Sequence, residues 1–287
     1  MRVASSPEEL GRQRRAVAIG TFDGVHVGHQ AVVRVAVEAG PRPTVVTFHP
    51  HPRDVLGNQV SLLATLERRL ELLAGLGVEE VLVVPFSTQV AALEPAEFAS
   101  AYLEAIGTEL VAAGESFRFG RGRGGDLALL ERLGFATRVV EQVEGVSSTE
   151  IRRLVTPGEV RAAAPLLGRP VEVEGIVVSG DQRGGTLGFP TANLRAEPEL
   201  LMPAFGIYAG AAGGHRAAVS IGVNPHYGGA ERRIEAFLLD FRGDLYGERL
   251  IVELWDRLRE ERAFTSEAEL VEQIARDVEA TRAATRP

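Results

Sequence analysis

The hydrophobic rhythm of the chain changes once along its length. Up to about Thr156-Pro157-Gly158, continuous or β-branched apolar runs at 16–19, 44–48, 80–86, 110–113 and 136–143 predict strands. Stretches with apolar residues three and four apart, at 32–37, 62–76, 97–106 and 127–133, predict helices between them. Alternation of this kind predicts a parallel sheet with helices on both faces and a ligand at the carboxyl ends of the strands. After Gly168-Arg169-Pro170 the chain turns mostly to strands. Residues 171–178 begin with apolar/polar alternation, and 207–211, 217–223, 234–241 and 249–254 follow with glycine-rich connections, the signature of a small antiparallel barrel. Ser266 and Glu269 form a plausible capping box for a last helix through Leu270, Ile274 and Val278. The expected fold is therefore an α/β domain over 1–168 and a β-barrel with a terminal helix over 169–287.

Two segments carry chemistry. In Gly20-Thr21-Phe22-Asp23-Gly24-Val25-His26-Val27-Gly28-His29, His26 and His29 fall on the turn between the strand at 16–19 and the next helix. A helix N-terminus directs free N–H groups outward, and Gly24 and Gly28 allow close approach of an anion. Two imidazoles held there can donate hydrogen bonds to an α-phosphate as charge builds on it. The alternatives are a structural turn, or a zinc half-site completed by His49 and His51. In Ser147-Ser148-Thr149-Glu150-Ile151-Arg152, Ser148 or Thr149 can cap a helix and Arg152 lies one turn in, suited to the same phosphates or to an ordinary cap. Gly120-Arg121-Gly122-Arg123-Gly124-Gly125 satisfies G-x-G-x-x-G, but not in the setting of a dinucleotide fingerprint.

Composition narrows the classes. The chain has 287 residues, 45% of them apolar, enough for two cores. A net charge of -8 and a pI near 5.4 disfavour nucleic-acid and anionic-membrane partners and favour small molecules. All 31 basic residues are arginine, which excludes a Walker-A lysine and a lysine Schiff base. Without cysteine there is no thiolate nucleophile or disulfide, and no run approaches the ~20 apolar residues of a membrane span. A soluble, cytoplasmic protein is expected.

The histidine turn, with Thr47-Phe48-His49-Pro50-His51-Pro52, the Phe117-Arg118-Phe119-Gly120 stretch and Ser147 to Arg152, resembles the FMN adenylyltransferase half of bacterial bifunctional riboflavin kinase/FAD synthetases. Downstream, Gly188-Phe189-Pro190-Thr191-Ala192-Asn193 and Leu238-Leu239-Asp240-Phe241 resemble the kinase half. The resemblance implies a Rossmann-like nucleotidyltransferase domain and a riboflavin kinase barrel. They would convert riboflavin to FMN and FMN to FAD, with ATP as co-substrate and Mg2+ as cofactor. It implies that His26 and His29 bind the triphosphate and stabilise the transition state, that Gly20, Phe22, Asp23, Gly24 and Gly28 shape the nucleotide site, and that Ser147, Ser148, Thr149 and Arg152 hold the β and γ phosphates. Phe48, Ser116 and Phe117 become candidate flavin neighbours, although Ser116 stands where the family commonly has Asp or Asn. In the kinase half it implies Thr191 and Asn193 as metal ligands, Glu235 as base, and Gly180, Arg183 and Gly188 in the nucleotide flap. Gly185 and His226 depart from the family pattern. The rival within the family is an adenylyltransferase whose kinase half only binds flavin, and the rival outside it is a non-catalytic flavin-binding module.

Overall fold

The structure, a computed structural model, describes residues 1–179, 189–224 and 231–287, so Gly180, Arg183, Gly185, Gly188 and His226 lie outside the described residues. The chain forms two compact units, Met1–Ser147 and Ser148–Pro287.

In the first unit six parallel strands, β1 (Arg2–Ala4), β2 (Arg15–Ile19), β3 (Thr44–His49), β4 (Glu80–Pro85), β5 (Thr108–Gly114) and β6 (Ala136–Val140), lie in the order β1-β4-β3-β2-β5-β6. The apolar runs are continuous because both faces are covered. Val17 and Ile19 of β2 join Val46, Phe48, Leu82 and Val84 in one core, while Ala16 and Ala18 join Val45, Val81 and Val83 in the other. From β2 the chain moves outward through β3 and β4 on one side, then returns to build β5 and β6 on the other. The loop after β2 therefore sits at the topological switch point, the usual ligand crevice of such sheets. At the opposite end of β2, the fully buried Arg15 donates to Glu80 Oε2 at 2.7 Å and to the Gly11 carbonyl at 2.8 Å.

Three details differ from the expected elements. β1, with only Ala4 buried, is too short for a pattern to register. The helix expected over 62–76 is Leu66–Gly75, capped by Thr65, whose hydroxyl accepts from Arg68 N at 3.1 Å. The helix expected over 97–106 is one α-turn, Pro95–Phe98, running into a π-helix, Ala99–Glu104.

In the second unit β7 (Val171–Val178), β8 (Ala192–Arg195), β9 (Gly206–Ala212), β10 (His215–Asn224), β11 (Glu231–Leu238) and β12 (Arg249–Arg259) close a barrel in the order β10-β11-β8-β7-β12-β9. Val173, Tyr208, Val219, Ile221, Ile234, Val252 and Leu254 are buried. β8 was not expected from the sequence, yet it closes the ring between β7 and β11. Ser266 caps the Glu267–Ala283 helix by accepting from Glu269 N at 3.2 Å. The Glu269 carboxylate reaches past the cap to Thr265 N at 3.1 Å, so the expected reciprocal box is displaced by one residue.

Helices Ser148–Val155 and Val160–Leu167 belong to this unit, and the second packs on β7 and β12 through buried Val160, Ala163, Ala164 and Leu167. The sequence boundary at 168/169 would cut that contact. A fragment of residues 148–287 is expected to unfold cooperatively in urea, and one of residues 169–287 to be weaker by roughly 3–6 kcal/mol, the worth of burying Val160 and Leu167 together. Equal unfolding free energies would show that the helix adds nothing to the barrel.

Candidate active sites

After β2 the chain makes a strained turn. Phe22, Gly24 and Val25 have φ of 51°, 80° and 43°, unusual for a bulky and a β-branched residue. Both side chains are 1% exposed, and Val25 N donates to the Phe22 carbonyl at 3.0 Å, so burial and hydrogen bonding offset the strain. Asp23 is buried and its Oδ1 accepts from Leu63 N at 2.9 Å. A Cβ on Gly24 would meet Leu63 Cδ1 at 2.8 Å. This docking ties up Leu63 and explains why the expected helix at 62–76 starts late.

The turn delivers the two histidines together. His26 is the N-cap of the Val27–Glu38 helix, and its Nδ1 accepts from His29 N at 3.3 Å. The rings stack at 3.5 Å and 17°, and Phe22 meets His29 edge-on at 5.3 Å. Gly28 is tightly placed, since a Cβ there would lie 3.3 Å from His26 Nδ1. His29 Nδ1 is shut from solvent without a hydrogen-bond partner. Burial first, then the neighbouring His26 and the Arg69 charge, hold the His29 pKa well below the usual 6.5. The imidazole is neutral at neutral pH.

Arg69 was missed by the sequence reading. It lies on the Leu66–Gly75 helix beside Arg68, and a pair of adjacent arginines reads as solvated surface. Arg68 does pair outward, with Glu71 at 2.8 Å. Arg69 is 5% exposed and points inward. Its position three after Leu66 and four before Leu73 was the available signal, because that spacing shares one helix face. Its Nη1 donates to the Thr21 carbonyl at 2.5 Å and its Nη2 to the Phe48 carbonyl at 3.3 Å. Thr47 Oγ1 donates to the same Thr21 carbonyl at 3.0 Å.

The other expected residues of this half are dispersed. Gly20 follows β2 and donates from its backbone to the Val46 carbonyl at 3.1 Å. Phe48 lies in the core, edge-on to Phe86 at 5.7 Å, whereas Phe117 is half-buried and stacks on Phe119 at 5.5 Å. Ser116 is exposed just beyond β5. The Gly120 loop closes on itself, with Phe119 and Gly125 exchanging backbone hydrogen bonds of 3.0 and 2.9 Å, and Arg121 N donates to the Leu93 carbonyl at 2.7 Å. His51 Nδ1 accepts from Arg53 N at 3.2 Å as a helix cap. Among the described residues no three His, Cys, Asp or Glu side chains gather to hold a metal ion, so the zinc alternative has no ligand set. Ser147 ends the first unit, and the helix Ser148–Val155 begins at Ser148 itself, so Ser148 and Thr149 lie inside its first turn rather than before it, with half-buried Arg152.

In the barrel, register sets Asn193 of β8 opposite Glu235 of β11. Arg233, two residues along the same strand face, ion-pairs with Glu235 and donates to Asn193 Oδ1 at 3.2 and 3.0 Å. Asn193 Nδ2 reaches the Thr191 carbonyl at 3.4 Å. Side chains proposed far apart in sequence are thus neighbours, and Arg233 was not foreseen.

Comparison with known proteins matches this division. An FAD synthetase family model covers residues 9–153 and a riboflavin kinase model covers 167–285. Bifunctional riboflavin kinase/FMN adenylyltransferases from Listeria monocytogenes and Escherichia coli K12 are 38% and 36% identical, over 94% and 91% of this chain and 92% and 90% of theirs. The chain belongs to the bifunctional riboflavin kinase/FMN adenylyltransferase family. A crystal structure named as a macrolide-efflux protein from Streptococcus pneumoniae shares the fold, with a TM-score of 0.88, 34% identity and 98% coverage of both chains. Among the described residues no helix is long and apolar enough to cross a membrane.

Members of this family join two ATP-dependent steps in one chain, and both halves are present: the parallel-sheet unit carries the adenylyltransferase and the barrel the kinase. A kinase half reduced to flavin binding is not favoured.

The neutral His29 gives the adenylyltransferase unit a pH signature. Its pKa is depressed on folding, so above 6.5 neither state binds a proton there, and below 6.5 the unfolded chain does so first. Stability is expected to fall below pH 6.5 by up to about 1.4 kcal/mol per pH unit from this group. His29→Ala should remove that part of the slope in urea titrations at stepped pH. An unchanged slope would mean that His29 titrates alike in both states.

Proposed function

We propose that adenylyl transfer is carried by the His26–His29 turn. The supporting observation is the stacked imidazole pair at a helix N-terminus on the switch point of the sheet. The FMN phosphate attacks the α-phosphorus of ATP, and pyrophosphate leaves. Because His26 Nδ1 accepts a backbone N–H, a neutral His26 carries its proton on Nε2, the atom that would donate to the phosphate. His29, uncharged and stacked beneath, keeps that donor in place. Together with the free N–H groups of the helix they oppose charge growing on the α-phosphate. Gly20, Phe22, Asp23, Gly24 and Gly28 shape the turn. Ser147, Ser148, Thr149 and Arg152 hold the β and γ phosphates, a reading supported by the extent of the FAD synthetase model, which runs to residue 153. Phe117 with Ser116, and Phe48 behind, form the flavin side.

In the kinase half Glu235 takes the proton from the terminal ribityl hydroxyl as it attacks the γ-phosphorus of ATP. Thr191 and Asn193 offer a hydroxyl and an amide oxygen, neutral donors of the kind magnesium takes while keeping most of its bonds to water and phosphate. Asn193 Oδ1 already accepts a cationic group, the Arg233 guanidinium, so this atom suits a cation. Mg2+ bound there would offset charge on the transferring phosphoryl group. Gly180, Arg183 and Gly188, outside the described residues, are assigned to nucleotide binding on the family resemblance alone. The boundary between the two catalytic domains is placed at 168/169, just inside the riboflavin kinase match and after the helix that packs on the barrel, and the enzyme works in the cytoplasm on small molecules.

His29→Ala is expected to lower FAD formation from FMN by roughly 100- to 1,000-fold while riboflavin phosphorylation continues. Equal loss of both activities in a folded variant would contradict the division. Glu235→Gln is expected to slow FMN formation by roughly 100- to 10,000-fold and to leave FMN adenylylation intact. Chromatographic separation of riboflavin, FMN and FAD reads both, and near-normal phosphorylation by Glu235→Gln would reject its role as base.

A further inference from the structure

We propose that Arg69 is a positioning residue of adenylyl transfer, its buried guanidinium fixing the floor of the His26–His29 turn and keeping a permanent positive charge beside His29. The proposal rests on the assignment of that turn to FAD synthesis. Arg69 comes from a different element, the Leu66–Gly75 helix, and joins the chain just beyond β2 to the end of β3 through the Thr21 and Phe48 carbonyls. Thr21 and Phe22 lead directly into the strained Phe22–Val25 bend, so the fork holds the backbone at the point where its direction is set.

A purely structural filler at this position would be apolar. Burying a guanidinium is costly unless every donor is used, and the Arg69 Nε is buried with no partner. Burial lowers the Arg69 pKa, with the Asp23 charge acting the other way, and the group stays cationic because an arginine starts far above neutral pH. The charged or titratable groups that act on His29 are His26 on its own turn and Arg69 across from it, with Asp23 acting on Arg69. The charge and the fork are separable functions. Lysine retains the first but replaces the planar fork, whose two nitrogens each reach a carbonyl, with a single nitrogen, while glutamine loses the charge.

The test uses the full-length protein and reads His29 directly by 13Cε1 NMR titration, beside steady-state kinetics of both activities. Arg69→Gln is expected to move the His29 midpoint up toward 6.5 and to lower kcat for FAD synthesis by roughly tenfold to a hundredfold, with riboflavin kinase turnover unchanged. Arg69→Lys is expected to keep the wild-type His29 midpoint and to recover part of the lost kcat. A folded Arg69→Gln protein with normal kinase turnover, an unmoved His29 midpoint and FAD kcat within about twofold of wild type overturns the proposal. If Arg69→Gln does not fold, Arg69→Lys decides: reduced FAD kcat with an unmoved His29 midpoint supports the proposal, and wild-type kcat overturns it. Undiminished FAD synthesis by His29→Ala would instead overturn the assignment of the turn itself, and a loss in His29→Ala with none in either Arg69 variant overturns only the role of Arg69.

Discussion

The bend between β2 and its following helix is the constraint on which the adenylyltransferase half depends. The chain has to turn sharply at the switch point of the sheet and still present a helix N-terminus, and it does so by placing Phe22 and Val25 in left-handed conformations. Such strain persists only where the surroundings over-determine it. Phe22 and Val25 are sealed into the core, Asp23 anchors Leu63, and Arg69 holds the Thr21 carbonyl from below. The stacked histidines follow from that bend, since His26 occupies the cap and His29 lies one turn into the helix.

The barrel solves a different problem with the same residue type. Its polar site is built across the β8–β11 ladder, where register, rather than a loop, brings Asn193 to Glu235. In a chain without lysine, Arg233 spans both acceptors with one planar fork. A site laid on paired strands is rigid at the backbone, and adjustment falls to side chains such as Arg233. The two polar clusters therefore rest on different supports, one on a strained turn and one on a ladder.

Much of this was legible beforehand where periodicity was strong. The buried runs of β2 to β5 read correctly because both faces are covered, and the histidine turn was placed by the strand before it and the helix after it. What escaped had physical reasons. β8 is four residues long and gives no alternation to detect, yet it carries Asn193. The boundary at 168/169 followed the change of rhythm, whereas compactness follows Val160 and Leu167, which side with the barrel. Arg69 and Arg233 were hidden because an arginine in a helix or strand normally belongs to solvent, and only tertiary contacts reveal one turned inward. The capping assignment at Ser148 missed by one residue, as helix ends often do.

The two chemistries are proposed to run on separate side chains, the His26–His29 turn and Glu235, so that FMN made by one protein molecule can be adenylylated by another. A mixture of the His29→Ala and Glu235→Gln proteins, given riboflavin, ATP and Mg2+, measures this most directly. Each variant alone lacks one step, so the account predicts FAD from the mixture, after a lag in which FMN accumulates, and little from either protein alone. FAD formed by either variant alone at the wild-type rate, or none from the mixture while both proteins stay folded, would contradict it.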